Sequence, residues 1–173
     1  EKTKLVLNSI TSKIIERKPG APFTTSTLQQ QAFQKFNFSV KKTMSVAQRL
    51  YEAGHITYMR TDSASISEEF HPHIEHFVNS QFGNNYYKKT IYKTKSSSAQ
   101  EAHEAVRPTT LTNEIVSDDT DQQKLYSLIR SQTIASQMAV AKIKKTTANI
   151  LIPNTKHSFQ AEGDVIEFDG FLA

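Results

Sequence analysis

Apolar positions recur along this chain with two different periods, and the change of period divides it. Residues 4–17 carry Leu5, Val6, Leu7, Ile10, Ile14 and Ile15. Their β-branched content favours a strand, although the spacing alone leaves a helix open. Lys18-Pro19-Gly20-Ala21-Pro22 reads as a turn or linker, because its two prolines resist regular structure. The hydroxyl run Thr24–Thr27 suits a helix N-terminus, and Leu28, Ala32, Phe33 and Phe36 follow at helical spacing. A second helix is predicted from Val40 to Ala53, burying Val40, Met44, Ala47, Leu50 and Tyr51, with Gly54 as its stop. A third is predicted to start at Ser65 or Ser67, with Glu68 and Glu69 in its first turn. Phe70, Ile74, Phe77 and Val78 form its inner face, and Gly83 ends it. Residues 84–100 are polar, with Lys88, Lys89, Lys93 and Lys95, and read as an exposed, mobile loop whose lysines are a solvated face more often than phosphate contacts. Asp118, Asp119 and Thr120 open a long helix to Met138, with Leu125, Leu128, Ile129, Ala135 and Met138 turned inward.

From Ile143 the period shortens. Thr146, Thr147 and Ile150–Ile152 point to a strand that Pro153-Asn154 turns, and Phe159–Ala161 and Val165–Phe168 read as a hairpin about Gly163-Asp164. The middle is therefore helical and both ends are strands. An α+β fold follows, in which the ends pair as one β-rich unit and the helical part is inserted between them.

Composition adds boundaries. The chain has 173 residues and a formal charge of +4, enough for one sizeable core or two small ones. Between Ser26 and Met138 there are 12 Lys+Arg against 11 Asp+Glu, so binding of a polyanion must be argued from a site rather than from net charge. The absence of cysteine excludes disulfides and cysteine-bearing zinc sites here. No long apolar run and no signal-like N-terminus appear, which reads as a soluble intracellular protein without a membrane span. A start at Glu1 without methionine and an end on Phe171-Leu172-Ala173, in mid-pattern, read as a piece of something larger.

The candidate chemistry lies in Gly54–Ser63, Gly-His-Ile-Thr-Tyr-Met-Arg-Thr-Asp-Ser. If the segment is extended, side chains alternate faces and Tyr58 and Arg60 point the same way. A nearby positive charge favours phenolate, and a guanidinium holds phosphate with two parallel hydrogen bonds. Tyrosine attack on a phosphodiester clamped by arginine is a coherent reading. An isolated Tyr-x-Arg more often packs and caps an ordinary strand.

Three further blocks change that balance: Pro-Phe-Thr-Thr-Ser-Thr-Leu-Gln-Gln at Pro22–Gln30, Lys-Thr-Met-Ser-Val-Ala-Gln-Arg-Leu-Tyr-Glu-Ala-Gly at Lys42–Gly54, and Glu-Ala-His-Glu-Ala-Val-Arg-Pro-Thr at Glu101–Thr109. With the Tyr58 segment, in this order and at about this spacing, they resemble the bacterial type IA DNA topoisomerase I family. The resemblance runs from about Pro22 to Gln137, with a weaker echo to the end. It implies a β-rich arch at residues 1–25 and 139–173 and a mostly helical nucleophile domain at 26–138. It makes Tyr58 the nucleophile that cuts one strand of single-stranded or negatively supercoiled DNA, keeps the 5′ phosphate and later reseals without ATP. Arg60 then holds the scissile phosphate, and His103 donates a hydrogen bond beside it, with a charge state that can change near neutral pH. Gln48 and Glu52, four apart on one helix face, read simply as a surface pair and by resemblance as support for the site's polar network. Thr57, Thr61 and Asp62 read as positioning groups, with Asp62 orienting Arg60. Arg107 either contacts DNA or braces its loop. Glu101 and Glu104 read as a solvated pair on a short helix rather than as metal ligands.

The resemblance also implies what lies elsewhere. Family members carry a TOPRIM domain that supplies a glutamate, a lysine and the acidic cluster that binds magnesium. Asp119-Thr120-Asp121, the one Asp-x-Asp pattern here, reads better as a helix cap. His55, His71, His73, His76 and His157 are not spaced as a metal site. No metal is therefore expected in this chain, and Mg2+ is expected in the full enzyme. The parent is expected to be a monomeric enzyme of the bacterial nucleoid. The chain alone is expected to bind single strands weakly and to cleave them poorly. The rival reading is a non-catalytic module that holds single-stranded DNA or a partner.

Overall fold

The computed structural model describes residues 4–92 and 104–173. Among them are four α-helices and a three-stranded antiparallel sheet, an α+β fold. Contacts divide the chain into two units, residues up to Lys18 with Val140–Ala173, and Pro19–Ala139. No helix among the described residues is long and apolar enough to cross a membrane.

The first unit is the sheet. Strand β1 (Val6–Arg17) pairs with β2 (Ala141–Leu151), and β2 with β3 (Ser158–Phe168), all antiparallel. The turn between β2 and β3 holds Asn154 at φ 64°, a left-handed conformation that asparagine tolerates better than most residues. The hairpin expected about Gly163-Asp164 does not form. β3 runs straight through, with Gly163 opposite Thr146 and Asp164 opposite Lys145. The register places Leu7, Ile150 and Phe159, then Ile10, Ala148 and Ala161, in successive rows of one face. The other face carries the Lys145–Glu162 ion pair, at 2.7 Å.

The second unit is helical. Helix α1 (Thr25–Phe36) starts at Thr24, whose side chain and that of Thr27 cap each other's backbone. Helix α2 (Val40–Glu52) is capped by Ser39 and stops before Gly54 at φ 77°, where a side chain would be strained. Helix α4 (Thr120–Ser136) is capped by Asp119, whose Oδ1 accepts from the N–H groups of Asp121 and Gln122 at 2.8 and 3.0 Å. Arg49–Asp119 and Lys42–Asp121 ion pairs then tie α2 to the start of α4. Leu28, Ala32, Val46, Ala47, Leu50, Leu125 and Ile129 of these helices form the core, joined by Phe23, Ile56, Met59 and Val106 from the segments between them.

Three local expectations are corrected. The buried stripe of α2 is Thr43, Val46, Ala47 and Leu50, while Val40 and Tyr51 are exposed, as is Phe33 of α1. Helix α3 begins at His71, not at Ser65 or Ser67, and ends at Phe82; its cap position, Phe70, makes no side-chain cap bond and Pro72 opens the first turn. Residues 84–92 do not form a free loop. The Lys88 and Thr90 N–H groups donate to the main-chain and side-chain oxygens of Gln137 at 2.9 and 2.8 Å, and Gln137 Nε2 donates to Thr90 O at 3.0 Å. Lys89 is spent on Glu68. Lys93 and Lys95 lie outside the described residues.

Candidate nucleophile site

The site is built on Gly54–Ser63, which leaves α2 and is held from three sides. The Thr57 N–H donates to Arg107 O and the Thr109 N–H to His55 O, with Ile56 bridged to Pro108. The Thr57 hydroxyl adds a donation to Ala105 O at 2.8 Å and accepts from the Arg107 N–H at 2.9 Å. The 104–109 segment also meets Ser65 and Phe23, through the N–H groups of Ala105 and Val106. On the other side Thr25 engages the main chain of Met59 and Thr61. Residues 22–30, 42–63 and 104–109 thus meet at one place.

From Tyr58 to Ser63 exposure alternates residue by residue. Tyr58, Arg60 and Asp62 are open; Met59, Thr61 and Ser63 are buried. Met59 is fully buried in the helical core, while Tyr58, at 46% exposure, and Arg60, its neighbours in the chain, are open. Edge-on to the Tyr58 ring stands Tyr51 of α2, with ring centroids 5.2 Å apart at 60°, a favoured aromatic geometry. Arg60 borders an open recess of about 450 Å3 with Thr25, Ser26, Thr61 and Asp62, at the first turn of α1.

Residues 1–173 match a family model described as DNA topoisomerase. The chain belongs to the DNA topoisomerase family. It is 47% identical over 183 residues to a DNA topoisomerase 1 of prokaryotic type from Acanthamoeba polyphaga mimivirus, covering 99% of this chain and 21% of that protein. It is 44% identical over 159 residues to DNA topoisomerase 1 of Escherichia coli K12, covering 89% and 18%. Full-length topoisomerase I from Thermotoga maritima superposes with a TM-score of 0.83 at 33% identity, over 98% of this chain and 29% of that one. The chain therefore spans about a fifth of the length of such relatives.

The other residues singled out in this topoisomerase segment fall into place as follows. Gln48 Nε2 donates to Glu52 Oε1 at 2.7 Å, a hydrogen-bonded pair on the α2 surface just ahead of the Tyr58 segment. Thr61 lies beneath Arg60, its hydroxyl accepting from the Ser63 N–H at 3.0 Å. Among the described residues neither Arg60 nor Asp62 makes a side-chain hydrogen bond or ion pair, so Asp62 does not orient Arg60 here. Arg107 is a brace. Its guanidinium is paired with Glu104, donates to Pro108 O at 3.1 Å and lies over the Phe70 ring at 3.7 Å. Glu104 is not on a helix, and its carboxylate is taken by Arg107. His103 and Glu101 lie outside the described residues.

Two contributors carry no individual signal in the sequence. Helical spacing predicts Tyr51 in the buried stripe of α2, and Thr25 reads only as part of a capping run. The available signal was their membership of the Lys42–Gly54 and Pro22–Gln30 blocks. Behind the segment, a cavity of about 700 Å3 opens between α3 and residues 107–112, lined by Phe70, Phe77, His73, His76, Arg107 and Thr57 among others. Next to it His71 is buried, with no hydrogen-bond partner at Nδ1 among the described residues. Burial, then the charge of Lys89, pushes its imidazole below the ordinary value.

Proposed function

We propose that this chain is the nucleophile-bearing part of a type IA DNA topoisomerase that relaxes negatively supercoiled DNA. The observation that carries this reading is the alternation at residues 58–60, which leaves a tyrosine and an arginine without a side-chain partner among the described residues open on either side of a buried methionine. In the proposed step, the Tyr58 phenolic oxygen attacks a backbone phosphorus of single-stranded DNA as the phenol gives up its proton. The bond from phosphorus to the 3′ oxygen breaks and that oxygen takes a proton. A 5′-phosphotyrosine and a free 3′ hydroxyl result. One phosphoester bond replaces another, so the reverse attack by the 3′ hydroxyl reseals the strand without ATP. Arg60 holds the non-bridging oxygens, where a guanidinium offers paired donors to the charge that develops. His103 is proposed as a further donor to the same phosphate. Gln48, Glu52, Thr57 and Thr61 support the site, and Asp62 lies near the strand path.

Magnesium does not fit the Asp119-Thr120-Asp121 pattern. Asp119 is engaged by two backbone N–H groups and by Arg49, and Asp121 by Lys42. We assign the metal, with the acids and lysine that assist the departing oxygen, to a TOPRIM domain of the parent chain, in a monomeric enzyme of the bacterial nucleoid.

The test mixes this chain with a separately made TOPRIM domain, magnesium and a labelled single-stranded oligonucleotide. A covalent adduct is expected, absent without the added domain and absent in Tyr58→Phe. An adduct that persists in Tyr58→Phe overturns the assignment. No adduct in either protein favours a non-catalytic module that only holds single-stranded DNA.

A further inference from the structure

We propose that Thr25 is the positioning residue of Arg60, acting on the main chain on both sides of it; the claim rests on the phosphate-holding role proposed above for that arginine. Arg60 is exposed and has no side-chain partner among the described residues. Nothing in them holds its guanidinium from the side, so its direction depends on how firmly residue 60 is fixed in the backbone.

That fixing converges on one hydroxyl. Thr25 Oγ1 donates to Met59 O at 2.7 Å and accepts from the Thr61 N–H at 2.9 Å. It also stands 3.1 Å from Thr61 O, to which the Thr25 N–H donates at 2.9 Å. A hydroxyl has one proton and two lone pairs. The proton serves the carbonyl before Arg60, and a lone pair serves the amide after it. Both peptide planes that flank residue 60 are thereby held by a single oxygen. That oxygen belongs to a rigid element, since Thr25 opens α1 inside a capping box and α1 is anchored by the fully buried Leu28 and Ala32. A group carried on an anchored helix positions its neighbour more accurately than one on a loop. The same geometry places Arg60 at the rim of the recess it shares with Thr25 and Ser26.

Chemistry separates the side chains that can do this. Serine keeps the donor and the acceptor. Valine keeps the shape of threonine and neither bond. Alanine also loses both, while favouring helix at the start of α1. The backbone bond from Thr25 to Thr61 O survives in all of them, so the fold is retained and the loosening is local.

The experiment compares the chain with Thr25→Ser, Thr25→Val and Thr25→Ala. Amide hydrogen exchange is read at Thr61, with the core amides of Leu50 and Ile129 as reference. Affinity for a fluorescein-labelled single-stranded oligothymidylate is read at fixed salt, in wild-type and Arg60→Ala backgrounds. Exchange at Thr61 should rise about tenfold in the valine and alanine variants with the reference amides unmoved, and stay within about twofold in the serine variant. Oligonucleotide affinity should fall about threefold to tenfold in the valine and alanine variants and return in the serine variant. In the Arg60→Ala background the same changes should have no further effect, the signature of action through one partner.

Equal losses for serine and valine, or the same loss with and without Arg60, overturn the proposal. So does unchanged exchange at Thr61. If the wild-type chain does not bind the oligonucleotide at all, it is the phosphate-holding reading of Arg60 that fails. The exchange at Thr61 then decides alone whether Thr25 is the clamp.

Discussion

Replacing Thr57 by valine isolates what joins the Tyr58 segment to the segment that follows His103. Valine has the shape of threonine, so little packing is lost. What goes is a hydroxyl that donates to Ala105 O at 2.8 Å and accepts from the Arg107 N–H at 2.9 Å. Two such bonds are worth about 1–3 kcal/mol in net terms. Ala105 is fully buried, so its carbonyl oxygen has no water to turn to, and a stranded buried acceptor raises the total to about 2–4 kcal/mol. The backbone bond from Thr57 to Arg107 O persists, which keeps the loss below that of undoing the pairing outright. For a unit of this size a loss of 1 kcal/mol lowers the melting temperature by roughly 3–5 °C. The Thr57→Val chain should therefore melt roughly 6–20 °C lower. Its urea midpoint, followed by far-ultraviolet circular dichroism, should fall with an unchanged slope. Thr57→Ser keeps both bonds and should lie within about 1 kcal/mol of wild type. A valine variant within about 0.5 kcal/mol of wild type would show that the hydroxyl bonds hold nothing, and the reasoning that ties residue 58 to residue 105 through them would be refuted.

Gln137→Leu should release residues 86–92, because the Gln137 side chain supplies both a donor and an acceptor to Thr90. Exchange of the Thr90 amide should rise by at least tenfold while the α2 amides hold their protection, as local opening requires; an unchanged Thr90 amide would remove this reading. His71 governs one pH dependence. Its folded value lies below the ordinary 6.5, so the unfolded chain takes up the proton first. Stability is then fully present above about pH 6.5, falls as pH drops through that value, and stops falling below the lowered folded value. Glu68, held below its usual range by the Lys89 hydrogen bond, adds a loss only at lower pH. Urea unfolding of wild type and His71→Leu across pH 5 to 7.5 should give a flatter profile for the variant; parallel profiles would exclude His71.

Much of this arrangement is legible in residue order, because the relevant signals are local. Asp119 caps where an acidic residue precedes a periodic run, and Gly54 stops α2 where a positive φ is needed. The alternation at Tyr58–Ser63 is the expected one, with Met59, Thr61 and Ser63 buried, although the chain bends at Met59. What local pattern does not contain is phase and distance. The inner face of α2 is set by α1, α4 and the intruding Met59, so Val40 and Tyr51 are rotated outward although their spacing suits burial. Ser65 looks like a cap, yet its hydroxyl donates to Tyr92 O at 2.9 Å, a partner 27 residues away. Gly163 looks like a turn and sits inside a strand, because β2 supplies the pairing that holds it. The clamp at Thr25 and the pin at Gln137 are bonds between distant residues, and composition has no trace of either.

The burial of Met59 makes the site intolerant of a change in length. Deleting or inserting one residue between Gly54 and Met59 would exchange the open and hidden sides of everything downstream. A thioether would then face solvent and a phenol would be forced into the helical core, though each side chain would still be present. Circuits of this kind fail by frame rather than by composition. Substitutions in the segment should be graded in effect, whereas single-residue indels there should abolish the Tyr58 surface at once.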